Sequence, residues 1–312
     1  MTARFTVLAS GSSGNAALLE VGGFGLLIDC GLHPRLLSAR LAAVGSSWEK
    51  VNAVILTHTH GDHWKNLTLA DLTRRRIPLY THPAHQTFLS DIAAAFDPLY
   101  RASLVRTYGD GNSLAVAPGM TCLPVRVSHD SEPTFAFRFD HADADGPAWA
   151  LGYASDLGVG SAELVGAFTG VDVLAIEYNH DERMERNSGR PAHLVRRVLG
   201  DDGHLSNRQA ADLTRVIARE SGPGHITHLI QLHLSRDCNH PVLAESAGRN
   251  ALAEVCPAAS VVTAKQDEPA RSIPLGRRSG VTRRAPDSRP ARASRPEPRA
   301  VIRQTLPGFG TR

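Results

Sequence analysis

Apolar residues recur along the chain in two periods, and the alternation between them sets out the elements. RFTVLA and FGLLIDC are two short strand-like runs on either side of the turn-rich SGSSGN. HPRLLSARLAAVG carries helical spacing and ends on Gly45, a common helix-stop residue. VNAVILTHTH is a continuous apolar run ending in histidines, the pattern of a strand covered on both faces. WKNLTLADLTRRR and AHQTFLSDIAAAF then read as helices. Strands are predicted at TCLPVRVSH, TFAFRFD, AWALGYASD, VDVLAIEYN, THLIQLHL and ASVVTA, with helices over Ala192–Leu199, Asn207–Glu220 and Val242–Val255. No short-period repeat is visible. Strand-rich stretches interleaved with helices predict a four-layer α/β architecture, two sheets back to back with helices outside.

The periodicity stops at Gln266, which divides the chain into a folded domain over 1–265 and a tail over 266–312. The tail holds eleven Arg against four acids and almost nothing to bury, so disorder is expected there. The net charge of +3 therefore hides a basic tail on an acidic body. The four cysteines, Cys30, Cys122, Cys238 and Cys256, have no CxxC spacing, and buried free thiols are the expectation. MTARFTVLAS lacks the apolar core of a signal peptide, and no window approaches the ~18 apolar residues of a membrane span. A cytoplasmic protein without membrane contact is expected.

The chemistry concentrates in VILTHTHGDHW, where His58, His60, Asp62 and His63 fall within six positions. A lone histidine in a turn reads as surface; four ligand-type residues directly after a buried strand read as a metal site. Residues two apart on an extended end share a face, so His58 and His60 address one point, and Asp62 and His63 a neighbouring one. Two adjacent ions need further ligands. Three candidates end strands in the same way: His129, Asp156 and His233. The expected first ion takes His58, His60 and His129; the second takes Asp62, His63 and His233; Asp156 bridges them. Imidazole and carboxylate accept Zn²⁺ and Mn²⁺ alike, so two divalent ions of either kind are expected.

LTHTHGDH, VSHD, YASDLG and QLHLS, in that order, resemble the successive metal motifs of the metallo-β-lactamase superfamily across nearly all of residues 1–265. The resemblance implies that family's αββα sandwich and a hydrolytic activity. It also implies that Asp29, in LLIDCG, orients a ligand without itself binding metal. The flavodiiron branch has Glu where this chain has His60, and no thioesterase recognition residues are identifiable.

Two regions turn the reading towards phosphodiesters. Glu177 ends a buried strand and His204 opens a helix. A carboxylate bonded to one imidazole nitrogen would raise the basicity of His204 and let it protonate a departing oxyanion. His204, Ser206 and Ala210 resemble the layout of tRNase Z-like nucleases in their spacing. Between Glu177 and His204 lie Arg183, Arg186, Arg190, Arg196 and Arg197, whose forks suit phosphate oxygens. Arg190 and Ser206 are taken as substrate contacts. The second region, LASGSSGNA, offers backbone N–H groups and the side chains of Ser12, Ser13 and Asn15 to an anion.

LASGSSGNA, SHDSEP, NHD, GRP and GHLSN together resemble the YycJ/WalJ-type subfamily, and that resemblance implies DNA as substrate and 5′→3′ exonuclease activity. His180 and Asp181 belong to it without an assigned role. The interval from Asp156 to His233 leaves no room for the inserted domain of RNase J-type enzymes, and the long arm of tRNase Z is lacking.

The expected activity is thus that of a dinuclear-metal phosphodiesterase, a DNA exonuclease in which a metal-bridged hydroxide attacks phosphorus. Asp62, Glu177 and His204 are its catalytic candidates, and the basic tail adds affinity for DNA. A small-molecule cyclic phosphodiesterase is the nearest alternative. A non-catalytic nucleic-acid binder on the same scaffold is the alternative of another class. Oligomeric state is not legible.

Overall fold

A computed structural model describes residues 3–131 and 133–277. In chain order its strands begin with β1 (Ala3–Ala9), β2 (Ala16–Val21), β3 (Phe24–Ile28), β4 (Ala53–Ile55), β5 (Leu79–Thr81), β6 (Val105–Thr107) and β7 (Leu114–Ala117). They continue with β8 (Met120–Val127), β9 (Thr134–Asp143), β10 (Gly146–Ala154), β11 (Val173–Glu177), β12 (His228–Leu232), β13 (Ser260–Thr263) and β14 (Ile273–Leu275). The helices are α1 (Pro34–Ala43), α2 (Asn66–Arg75), α3 (Pro83–Ile92), α4 (Phe96–Arg101), α5 (Ala162–Phe168), α6 (Glu182–Arg186), α7 (Ala192–Leu199), α8 (Asn207–Ser221) and α9 (Pro241–Leu252).

These elements group into two compact units, residues 3–109 with 264–277 and residues 110–263. The first unit holds a seven-stranded sheet in the order β14-β1-β2-β3-β4-β5-β6, the second a sheet in the order β13-β12-β11-β10-β9-β8-β7. Both follow one scheme. β14, β1, β2 and β3 pair antiparallel, and β3, β4, β5 and β6 pair parallel. Likewise β7 to β10 pair antiparallel and β10 to β13 parallel. No sequence repeat announces this, because the scheme is kept by burial pattern and not by residue identity. Parallel strands are covered on both faces, and VLAIE of β11 is buried at every position, as its unbroken apolar run predicts.

Each unit has its own core. In the first, Leu18 and Leu27 of the sheet pack with Leu37 and Leu41 of α1 and Leu69 and Leu72 of α2. In the second, Leu174 and Ile176 pack with Leu164 and Phe168 of α5 and Leu213 and Ile217 of α8.

Three expectations are corrected. The opening contains a third strand, β2, where AALLEV follows the turn. The run VNAVILTHTH forms only three residues of strand, since the chain leaves the sheet at Leu56. The folded part extends past Gln266: β14 pairs with β1 through Ala3 opposite Leu275 and Phe5 opposite Ile273. Pro274 is tolerated because β14 is an edge strand. The remainder of the expected tail, 278–312, lies outside the described residues. Among the described residues no helix is long and apolar enough to cross a membrane, and all four cysteines are free and buried.

Candidate metal centre

Ligands at the carboxyl ends of parallel strands are the common placement in α/β sheets; the loop after β4 and the residues ending β11 and β12 follow it, whereas His129 follows the antiparallel β8. In the first unit, the chain beyond β4 is held by its own carbonyls. The Tyr108 hydroxyl donates to the Leu56 carbonyl (2.6 Å), and Trp64 Nε1 donates to that of Thr59 (2.9 Å). Asn15 N donates to the Asp62 carbonyl (2.7 Å) and Cys30 N to that of His63 (2.8 Å). A loop fixed at four carbonyls presents its side chains without further ordering. His58 and His63 are fully buried, with ring centroids 4.0 Å apart; the His58 and His60 centroids lie 4.9 Å apart.

Gly31 makes this approach possible. A Cβ there would collide with the Asp62 carbonyl, so no larger residue admits the loop at that depth.

Asp29 is bonded to one of the candidate ligands. His63 Nδ1 donates to Asp29 Oδ2 (2.7 Å), and Thr57 donates to the same carboxylate through its N (2.8 Å) and its hydroxyl (2.9 Å). With its proton spent on Asp29, Thr57 Oγ1 accepts from His58 Nδ1 (3.0 Å). Both imidazoles thereby keep Nε2 as the unprotonated nitrogen, the atom that could hold a metal. Burial pushes the Asp29 carboxyl above the ordinary carboxylate range, while His63 and Thr57 pull it back. Thr57 carries no sequence signal, since a threonine after an apolar run is unremarkable.

In the second unit Asp156, Glu177, His204 and His233 bring one ligand-type atom each to within 4.8 Å of one another. Glu177 is fully buried and fully used. Its Oε1 accepts from His204 Nδ1 (2.7 Å), and its Oε2 accepts from Leu157 N (3.1 Å) and Leu205 N (3.2 Å). His204 follows Gly203, where a Cβ would strike the carbonyls of Arg197 and Val198. Its ring stacks on His233 at 5.2 Å and 16°. Burial opposes ionisation of both partners, but their mutual attraction outweighs it: His204 is raised, and Glu177 is held down to about 2. His129 Nδ1 donates to the Gly203 carbonyl (2.9 Å), which leaves Nε2 as the nitrogen that could hold a metal, and burial lowers its basicity. Asn179 Nδ2 donates to the His233 carbonyl (2.8 Å) and fixes that strand end.

The donor geometry fits metal. Two ligand atoms on one tetrahedral ion, each about 2.1 Å from it, stand about 3.4 Å apart. His233 Nε2 and Asp156 Oδ1 are 3.3 Å apart, and His63 Nε2 and Asp62 Oδ2 are 3.6 Å apart. Asp29, Asp156 and His233 also take left-handed backbone, with φ of 60°, 59° and 53°. For residues other than glycine this costs about 1–3 kcal/mol each, and such strain gathers at functional sites.

Three expected substrate contacts are put to other uses. Asn15 is buried, its Oδ1 accepting from Gly11 N (2.8 Å) and its Nδ2 donating to Asp62 Oδ2 (3.1 Å), so it positions a ligand. Ser206 is buried at the N-cap of α8, where it makes a capping box with Gln209. Arg190 is committed to Glu185 (3.3 Å) and Asp237 (2.8 Å). Ser12 and Ser13 are exposed, and Ser13 N donates to Gln266 Oε1 (2.9 Å).

Comparison with known proteins agrees with this geometry. Residues 25–226 match the beta-lactamase superfamily domain. The exodeoxyribonuclease WalJ of Streptococcus pneumoniae serotype 2 (strain D39) is 28% identical over 260 residues, 80% of this chain and 88% of that protein. The exodeoxyribonuclease YycJ of Bacillus anthracis is 29% identical over 260 residues, 81% of this chain and 90% of that one. The crystal structure of the metallo-β-lactamase fold protein YhfI from Bacillus subtilis aligns with a TM-score of 0.62 at 17% identity, over 88% of this chain and 100% of that one. The two mixed sheets with their helices are accordingly the elements of the αββα fold. With the family match spanning more than half its length, the chain belongs to the β-lactamase superfamily, as a metal-dependent hydrolase of the metallo-β-lactamase fold.

Proposed function

We propose that the chain is a DNA exonuclease acting 5′→3′ through two divalent ions, Zn²⁺ or Mn²⁺. His58, His60 and His129 would hold one ion and Asp62, His63 and His233 the other, with Asp156 as a further ligand. The observation that carries the reading is the Glu177–His204 pair, 2.7 Å apart, with Glu177 wholly buried and the His204 side chain 15% exposed. A phosphodiester leaves behind an alkoxide, which needs a proton that a charged imidazole held this way can supply; the thiolate released from a thioester needs none. The names of the WalJ and YycJ relatives support DNA as the polymer.

When bound, the ions supply Lewis acidity at phosphorus and activate water at neutral pH. The chain's residues do the rest. Asp29 and Thr57 keep the His63 and His58 rings in ligand orientation. Glu177 accepts a hydrogen bond from His204 Nδ1 and favours the charged imidazolium, so that Nε2 carries the proton given to the leaving oxygen. Ser12 and Ser13, on the exposed turn after β1, contact a phosphate. Four buried free thiols suit a reducing cytoplasm.

The test is His204→Ala with metal content and DNA cleavage measured together. Both ions stay, and the rate on end-labelled DNA falls by about 10²–10⁴. The penalty shrinks on bis-p-nitrophenyl phosphate, whose leaving group departs without a proton. DNA cleavage by His204→Ala at the wild-type rate removes the acid. Digestion of bis-p-nitrophenyl phosphate but never of DNA favours a small-molecule phosphodiesterase, and 5′- and 3′-blocked duplexes decide polarity.

A further inference from the structure

The arginines between Glu177 and His204, with Arg208 just beyond, divide by their ion pairs. Arg190 is paired with Glu185 and Asp237, Arg197 with Asp130, and Arg208 with Glu182 (2.9 Å). Arg183, Arg186 and Arg196 are exposed, and among the described residues no carboxylate pairs with any of them. An unpaired guanidinium keeps its whole fork for an incoming oxyanion, whereas a paired one must first give up its partner.

Arg183 and Arg186, three positions apart, share a side of α6, and α6 packs on α7, which carries Arg196. This surface is built into the acid site. Asn179 N donates to the Leu205 carbonyl (3.0 Å) and Asn207 N to that of His180 (2.8 Å), so the segment entering α6 is laced to the one leaving His204. The Ser206 hydroxyl donates to Glu182 Oε1 (3.0 Å) and ties the helix itself to the same place.

Beside Arg183 runs a groove of about 640 Å³. Met184 and Leu243, the latter 42% exposed, give it apolar surface, and Asn187 and Ser188 give it polar edges. Its two carboxylates are already engaged: Asp181 accepts from Arg183 N (3.0 Å) and Met184 N (2.9 Å), and Asp237 pairs with Arg190. Of the groove's charged side chains, Asp237 shares an ion pair with Arg190, Asp181 keeps its charge while capping α6, and Arg183 is the cation with its fork open to an incoming oxyanion.

We propose that Arg183, Arg186 and Arg196 grip the phosphodiester backbone of single-stranded DNA beside the proton donor, with a base resting on Met184 and Leu243. The inference rests on the exonuclease reading and gives it a strand-holding surface. A single strand fits because its bases expose faces that apolar side chains can cover without reading sequence.

The experiment titrates full-length, metal-loaded protein with a fluorescently labelled phosphorothioate single-stranded oligodeoxynucleotide, between about 50 and 200 mM salt. Replacing all three arginines by alanine weakens binding and reduces the slope of log K against log salt by about 2, near 0.7 per lost phosphate contact. Arg183→Lys with Arg186→Lys and Arg196→Lys keeps the slope. Arg215→Ala with Arg219→Ala and Arg249→Ala removes the same charge from arginines paired with Asp212, Glu254 and Glu245, and leaves the slope unchanged. An equal loss in that control, or an unmoved slope in the first variant, overturns the proposal. The readout is binding, so the two readings fail separately. A chain that binds with the expected slope and never cleaves loses the exonuclease and keeps the grip; one that degrades DNA with an unmoved slope loses the grip alone.

Discussion

Asp29 Oδ2 and His63 Nδ1 lie 2.7 Å apart with both side chains fully buried, and Asp29 reaches the ring from a left-handed backbone position one residue past β3. A carboxylate that accepts a ring proton fixes the tautomer and raises the donor strength of the opposite nitrogen. Replacing Asp29 by Ala therefore weakens metal affinity by about 10- to 100-fold. Competition with a chromophoric chelator measures it. Wild-type affinity in a folded Asp29→Ala protein would show that the contact is incidental to the metal.

Gly31 acts on the same loop through shape. Because an added methyl group meets the Asp62 carbonyl, Gly31→Ala must push the ligand loop out of register with Asp29. The expected cost is about 1–3 kcal/mol of stability, together with a smaller rise in unfolding temperature when metal is added. Thermal unfolding with and without chelator reads both quantities. A variant that loses stability yet keeps the full metal-induced rise refutes the placement of Gly31 against the ligand loop.

Why some of this was legible and some was not follows from particular residues. His58, His60, Asp62 and His63 announce themselves because ligand-type residues rarely crowd together after an apolar run. Glu177 and His204 are 27 positions apart, and only the buried strand before the first and the helix start after the second marked them as partners. Thr57 and Tyr108 act through one hydroxyl each and leave no pattern. β5 and β6 are three residues long, below the length at which periodicity can be counted. β14 sits in an Arg- and Pro-rich context that reads as unstructured, yet its pairing with β1 makes it part of the sheet. Asn15, Arg190 and Ser206 were assigned by chemical type, and their actual partners (Asp62, Glu185 with Asp237, and Gln209) depend on tertiary contacts that spacing does not encode.

His141 ties stability to acidity away from the candidate centre. It is buried, stacks on Trp149 at 5.3 Å and 6°, and burial lowers its pKa despite the opposing charge of Asp143. A histidine whose folded pKa lies below its unfolded value takes up its proton first in the unfolded chain. Its contribution is complete above the ordinary value of about 6.5 and is lost as pH falls from there towards the folded value. His141→Phe keeps the stack and removes the titration, so its denaturation midpoint falls less than wild type's over that interval. Parallel acid profiles for the two proteins would exclude His141 as a source of acid sensitivity.

Glu177→Gln separates placement from charge at the acid. Glutamine can still accept from Leu157 N and Leu205 N, so the segment before α8 keeps its position, but it cannot favour a protonated His204. The variant retains its fold and metal content and loses DNA cleavage by less than the ~10²–10⁴ expected for removing the acid itself. Combined with His204→Ala, it adds less than its loss as a single variant, because the carboxylate's shorter contact is with the His204 imidazole (2.7 Å) and the one with His233 Nδ1 is longer (3.3 Å). Initial rates on end-labelled DNA for the two single variants and the double variant complete the cycle. Independent, additive losses would mean that Glu177 contributes by some route other than His204.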